Sequence, residues 1–246
     1  KSSMTSITHD SISLRGAGVV NIIQPEKGFR FTLDSLLLAD FCRIKPRDRI
    51  LELGAGTGVI SLLLAKKFPK ARFVADEFEP RAYDLLCRNV EMNGLIDRIV
   101  PVDRDVKYLS RSIAPNAFNA IVANPPYTKS GTGRKSPSPE RQAARQDQSA
   151  SFHAWLNCQN MLKNKGRFFL VFPAGRMAEL VASLREKKLE PKRLRFVHPS
   201  AHKPASLVLI ESIKSAGVGL EILPPLIVHE TDGAYSEEMR QIYDLS

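Results

Sequence analysis

A chain of 246 residues, 43% of them hydrophobic, carries enough apolar surface for a full globular core, as one large domain or two small ones. Its formal net charge of +10 favours a polyanionic partner. No apolar run approaches the ~18–20 residues that span a bilayer, and Lys1-Ser2-Ser3-Met4-Thr5 lacks the apolar core of a secretory signal. Cys42, Cys87 and Cys158 are widely spaced and odd in number, which argues against a disulfide framework or a zinc site. A reducing cytoplasm is the simplest compartment. His9, His153, His198, His202 and His229 also lack metal-ligand spacing, so no metal is expected.

In chain order, Ile12–Leu14 and Val19–Ile23, separated by Gly16-Ala17-Gly18, predict a small hairpin. Leu33–Phe41 has helical apolar spacing, with Thr32 or Asp34 as caps. Ile50–Leu53 reads as a short buried strand, followed by a glycine turn and a helix over Val59–Lys67. Arg72–Ala75 is the next strand; Pro80 opens a helix that runs to Met92 and stops at Asn93-Gly94. Ile99–Val102 and Phe118–Ala123 are further strands.

A helix over Phe152–Leu162 leads through Gly166 to the strand Arg167–Phe172. Met177–Lys187 is helical, and Lys192–Val197 and Leu207–Glu211 are late strands. This βαβα rhythm predicts an α/β fold with an open, mostly parallel, Rossmann-like sheet covered by helices on both faces. One domain over 1–246 accommodates all of it, with 1–45 as a hairpin-and-helix extension. The stretch 128–149, rich in Ser, Gly, Pro, Arg and Gln, reads as a long basic loop inserted into it.

Three features carry chemistry. Glycines 54, 56 and 58 follow a strand and open a helix, so backbone can approach a ligand closely. Their spacing is GxGxG, where a dinucleotide fingerprint needs GxGxxG, which favours a cofactor without phosphates. Acids stand at successive strand ends: Glu52, suited to an amino-acid ammonium; Glu77, suited to ribose hydroxyls, with Asp76 as its solvated neighbour; and Asp105, suited to an adenine amino group. The blander reading makes them helix caps or solvated loop charges. Last, Asn124-Pro125-Pro126-Tyr127 ends a strand with an amide, two rigid prolines and a ring. That combination suits a clamp on a planar group bearing an exocyclic or amide nitrogen, and with the glycine turn it points to methyl transfer onto that nitrogen.

Glu52-Leu53-Gly54-Ala55-Gly56-Thr57-Gly58, the segment Asp76–Pro80, Asn89 with Asn93-Gly94, Asp105 and Asn124–Tyr127 together resemble the class I S-adenosylmethionine-dependent methyltransferases. Gly28–Asp34 and Pro224-Pro225-Leu226-Ile227-Val228-His229 extend the resemblance to the bacterial family that includes a tRNA(valine) adenine-N6 methyltransferase. The resemblance implies a seven-stranded methyltransferase sheet and S-adenosyl-L-methionine as cofactor. It implies cofactor contacts from Thr32, Asp34, Glu52, Gly54, Ala55, Gly56, Gly58, Glu77, Asp105, Val106 and Asn124. Asn124 and the Pro125 carbonyl would accept from the target amine, Pro126 would stiffen the clamp, and Tyr127 would stack on the base.

Charge points to RNA, with tRNA as the family's substrate. Lys129, Arg134, Lys135, Arg141 and Arg145 lie in the loop directly after Tyr127, and 129–147 is net +3. The segment 185–203 is net +5, so the two hold +8 of the +10 and are the expected phosphate contacts. Phe29, Phe31 and Trp155 are read as core rather than as stacking surface. Two other functions fit the same motifs: glutamine N5-methylation of a release factor, and a non-catalytic RNA-binding subunit that keeps the fold. Release-factor enzymes resemble the same clamp but carry a helical N-terminal domain, and about 45 residues precede the first core strand here.

Overall fold

Short apolar runs bounded by turns become the strands of one sheet. The structure, a computed structural model, describes residues 6–26, 32–126 and 152–244. Gly28, Phe29 and Phe31, Tyr127 and the 128–149 loop therefore lie outside the described residues.

Strands β1 (Ile7–Leu14) and β2 (Gly18–Pro25) form a separate antiparallel hairpin. Next come α1 (Leu33–Phe41), β3 (Arg49–Leu53), α2 (Val59–Lys67), β4 (Arg72–Asp76), α3 (Pro80–Met92), β5 (Ile99–Val102), α4 (Val106–Ser112) and β6 (Phe118–Ala123). Residues 152–157 form α5 and pass into a 3₁₀ turn, Cys158–Met161. The chain continues through β7 (Leu162–Pro173), α6 (Met177–Glu186), β8 (Leu189–Ser200), β9 (Leu207–Lys214), β10 (Glu221–Ile222), β11 (Leu226–His229) and α7 (Glu237–Ile242).

The main sheet runs β10-β8-β9-β7-β6-β3-β4-β5, with β11 also paired to β8. Strands β3 to β7 are mutually parallel, and β9 runs antiparallel to both its neighbours. The expected seven strands are therefore nine, because β10 and β11 add to the free edge of β8. β10 has only two residues and β11 only four, too few for a periodic signal in the sequence.

Side-chain alternation along the parallel strands divides the core into two layers. Ile50, Phe73, Ala75, Ala120 and Val122 pack against α1, α2 and α3. Leu51, Leu53, Ile121 and Ala123 pack on the other face with Val106 and Leu109 of α4, Trp155 and Leu156 of α5, and Leu180 and Leu184 of α6. Helices thus cover both faces, as expected.

Two asparagines of α3 fix the hairpin to this core. The Asn89 carboxamide accepts from Ile23 N–H (2.7 Å) and donates to Ile23 C=O (2.9 Å), while Asn93 does the same at Asn21 (3.1 and 2.7 Å). Each amide imitates a strand neighbour for β2. Asn89 Nδ2 also donates to Thr57 C=O at 2.9 Å, so hairpin, α3 and glycine turn share one buried hub.

Candidate active site

The C-terminal ends of β3, β4, β5 and β6 carry the glycine turn, Asp76–Glu77, Asp105 and Asn124, as the chain rhythm predicts. Backbone bonds hold this rim together: Ala55 N–H donates to Asp76 C=O (2.7 Å) and Glu77 N–H to Val102 C=O (3.0 Å). Gly54 and Gly58 are required twice over. Both have positive φ (56° and 88°), and a Cβ would lie 2.4 Å from Trp155 at Gly54 and 2.5 Å from Leu86 at Gly58. Trp155 is accordingly core, packed under the turn. Above Gly56 the space is open, since a Cβ there would meet nothing within 4 Å.

Glu77 faces that space, half-buried. Its Oε2 accepts from Gly56 N–H (2.7 Å) and its Oε1 from Glu79 N–H (2.8 Å). One backbone donor on each oxygen fixes the carboxylate plane and leaves each oxygen a further lone pair for a diol. Asp105 is half-buried as the N-cap of α4, accepting from Lys107 N–H at 2.9 Å. The cap bond uses Oδ1 alone.

The structure corrects two expectations about acids. Asp76 is not the solvated partner of Glu77: it is 0% exposed, and neither of its oxygens has a hydrogen-bond partner among the described residues. Alternation sends Asp76 toward the α4–α5 layer with Val74, while Glu77 turns to the glycine side. Burial first, then the charges of Glu77 and Asp105, push the Asp76 pKa up to about 8. Glu52, expected to meet an ammonium, is buried against α2 and accepts from Ser61 N–H (2.9 Å) and the Ser61 hydroxyl. Burial lifts its pKa to about 8 against the pull of those two bonds. Glu52 therefore anchors α2 beneath the turn.

At the end of β6, Asn124 is half-buried, Pro125 buried and Pro126 exposed. Asn124 Nδ2 donates to the Ser35 hydroxyl at 3.1 Å, a contact the sequence reading missed. Ser35 lies in the first turn of α1, whose N-cap is Thr32; Thr32 offers only its carbonyl, to Ser35 N–H at 3.1 Å, and no side-chain cap bond. With its amide nitrogen committed to Ser35, Asn124 keeps Oδ1 as an acceptor beside Pro125. Asp34 is half-buried in the same turn. Val106 is buried as the first residue of α4.

The basic residues divide sharply. Lys129, Arg134, Lys135, Arg141 and Arg145 lie outside the described residues. In 185–203 most of the charge is already used. Arg185 pairs with Glu190, Lys187 with Glu186, Arg195 with Glu238, and Lys192 Nζ donates to the carbonyls of Gly217 and Val218. Arg193 is buried, bonded to Glu211 at 2.9 Å and to Phe41 C=O, with its guanidinium 3.9 Å from the Phe41 ring centroid. Removing one member of such a buried pair costs ~3–5 kcal/mol, which marks Arg193 as structural. Four of the seven cations are paired with carboxylates and Lys192 is bonded to backbone, which leaves the Lys188 and Lys203 side chains without a hydrogen-bond or ion-pair partner among the described residues, a correction to the expected RNA face.

An open sheet with a glycine turn, a half-buried acid held by backbone N–H groups and an asparagine–proline turn at its C-terminal rim is the architecture of the S-adenosylmethionine-dependent methyltransferases. Comparison with known proteins agrees. The chain belongs to the methyltransferase small domain family, which matches residues 32–174. It is 29% identical to a tRNA1(Val) (adenine(37)-N6)-methyltransferase of Vibrio campbellii, over 88% of each chain. It is 30% identical to the Porphyromonas gingivalis protein of that name, over 89% of this chain and 88% of the relative.

Among solved structures, a predicted O-methyltransferase from Agrobacterium tumefaciens superposes with a TM-score of 0.70 at 21% identity, covering 86% of this chain and 96% of that one. The M. jannaschii TYW2 complex with AdoMet gives 0.54 at 14% identity, over 85% and 86%. Both establish the fold. Among the described residues no helix is long and apolar enough to cross a membrane, and no cluster of three metal-binding side chains is present.

The rim fits S-adenosylmethionine. Glu77, pre-oriented by two N–H groups, would hold the ribose hydroxyls; Asp105 and Val106 would hold the adenine; the open space above Gly56 would admit the methionine arm.

Proposed function

We propose that the protein methylates the exocyclic N6 of an adenine in tRNA, next to the anticodon, in the cytoplasm. The observation that carries the reaction type is the Asn124 carboxamide, held through Nδ2 by Ser35 so that Oδ1 serves as an acceptor. The relatives named for adenine-37 methylation, aligned over most of both chains, support the substrate. Three free cysteines suit a reducing compartment.

Bound S-adenosylmethionine supplies an electrophilic methyl group on a sulfonium. Asn124 Oδ1 and the Pro125 carbonyl accept the two N6 protons, which turns the nitrogen lone pair toward that methyl and stabilises the positive charge that grows on nitrogen. Both acceptors are preorganised: Ser35 fixes one, and the locked φ of Pro125 stiffens the other. The proton departs to water once the nitrogen is quaternised, so no dedicated base is needed. Most of the remaining acceleration is alignment. Tyr127 is assigned to stacking on the extruded base, where an aromatic partner offers ~1–3 kcal/mol against the few kcal/mol that extrusion costs.

Incubating the protein with labelled cofactor and, separately, bulk tRNA, ribosomal RNA and release factors tests this. Label in tRNA, released on digestion as N6-methyladenosine, is the expected result. Label confined to release factors would replace the reading with glutamine methylation, and cofactor binding without transfer to any of the three would indicate a non-catalytic subunit.

A further inference from the structure

Four cations without a carboxylate partner among the described residues share one concavity at the opposite rim of the sheet. A cleft of about 480 Å³ is lined by Arg47, Pro69, Lys70, Ala71, Arg72 and Arg98. These residues precede β3, occupy the α2–β4 turn and first residue of β4, and precede β5, so all of them stand at strand N-termini. The C-terminal rim lies roughly 17 Å away, taking five residues at ~3.3 Å each.

Four cations line this cleft, and none has a carboxylate within ion-pairing distance among the described residues. The acids nearest in sequence do not neutralise them. Asp48 is taken by Arg167, and Asp97 gives Arg72 only its backbone carbonyl at 3.4 Å. Arg98 is partly structural: it donates to the carbonyls of Pro69 and Ala65 at the end of α2, and its Nε has no partner among the described residues. Arg47, Lys70 and Arg72 are exposed. Holding four like charges around one concavity is unfavourable unless a polyanion neutralises them. Arginine forks and a lysine are the side chains that bind phosphate oxygens.

We propose that this cleft binds backbone phosphates of the substrate RNA, remote from the base that is methylated; the proposal rests on the tRNA reading above. A nucleotide held at the C-terminal rim belongs to an RNA that must extend around the domain to reach the cleft. Full-length tRNA has that reach, and an anticodon loop closed by only two or three base pairs, shorter than the ~17 Å between the rims, does not. Phosphate binding by cations is sequence-independent, so the cleft adds affinity and registers the tRNA body, while the clamp selects the base.

The test measures binding and methylation of full-length tRNA and of a short anticodon stem-loop across a salt series. The wild type is compared with a triple variant, Arg47→Asn, Lys70→Gln, Arg72→Gln. Asparagine is chosen at 47 because φ there is 67°, which it tolerates. The triple variant is expected to bind full-length tRNA on the order of ten- to a hundredfold more weakly, with a salt slope reduced by about 2–3. Its cofactor affinity and its activity on the stem-loop should stay within about twofold of wild type. Lys188→Gln with Lys203→Gln removes two charges elsewhere and, as a control, should move the slope by less than about 1.

Unchanged affinity and slope on full-length tRNA would overturn the cleft proposal while leaving the methylation reading intact. Equal losses on tRNA and stem-loop would overturn its placement away from the reacting base. A wild type that binds no RNA would sink both. Should the triple variant lose its cooperative melt, the exposed single variant Lys70→Gln carries the same test, with a slope change of about 1.

Discussion

Past the C-terminal ends of β4 and β5 the half-buried acids at the rim are Glu77 and Asp105; at the N-terminal side of β3, β4 and β5 stand Arg47, Arg72 and Arg98, joined by Lys70. The cofactor of this enzyme class bears a sulfonium and an ammonium, and an acidic rim complements both. The same rim repels phosphate. An enzyme that brings a nucleobase to an acid-lined cleft must attract the nucleic acid with charge placed elsewhere. The difference between the rims teaches that chemistry and attraction are divided along the strands, and that sequence clustering of charge is a poor guide to where attraction lies. The densest basic run, 185–203, is largely consumed by Glu186, Glu190, Glu211 and Glu238.

Perturbing one rim should leave the other untouched. The largest effect belongs to Asn124→Ala, which removes an acceptor of the developing charge. We expect kcat to fall about 10²–10³-fold, with cofactor and tRNA affinity near wild type by equilibrium binding. A large loss of cofactor affinity would instead place Asn124 in the cofactor cradle.

Ser35→Ala should act through Asn124. Losing one hydrogen bond, ~0.5–1.5 kcal/mol, predicts a fall of about three- to tenfold in kcat with KM for tRNA nearly constant. Ser35→Thr, which keeps the hydroxyl, should restore most of it. A change in KM alone would reduce Ser35 to a packing residue.

Asp76→Asn should have the smallest effect on activity and is read instead as stability against pH. The folded Asp76 holds its proton up to about pH 8, whereas the unfolded chain releases it near ~4. Between these values the folded state binds the extra proton, so stability falls as pH rises and levels off above about 8. Glu52 adds a slope of the same sign. Denaturant titrations of the apo-protein from pH 5 to 8 should show Asp76→Asn losing up to ~1.4 kcal/mol per pH unit of that slope. An unchanged slope would mean that Asp76 ionises normally in its layer.

Much of the fold could be read from the chain because the central parallel strands β3 and β6 are buried on both faces. Ile50–Leu53, Ile99–Val102 and Phe118–Ala123 are short apolar runs bounded by turns, and the structure keeps them as β3, β5 and β6 with few changes. Helix α4 escaped notice because it has seven residues and only Val106 and Leu109 reach the core among those with described side chains. β7 begins at Leu162, ahead of the expected Arg167, because Lys163–Gly166 form a polar irregularity that disguises the strand.

Within the site, types of residue were easier to read than directions. Asp76 and Glu77 are adjacent on a strand, and alternation alone does not say which one faces the cofactor side. Ser35 meets Asn124 across 89 residues, a contact that no local pattern encodes. The cations of the cleft are spread from 47 to 98 and converge only when three strand beginnings are set side by side.

A single salt titration separates the two rims most directly. Binding of full-length tRNA is measured for the wild type, for Asn124→Ala and for the Arg47, Lys70 and Arg72 triple variant. The division of labour predicts a wild-type slope for Asn124→Ala and a slope lower by about 2–3 for the triple variant. Equal slopes for all three proteins, or equal losses in both variants, would contradict it.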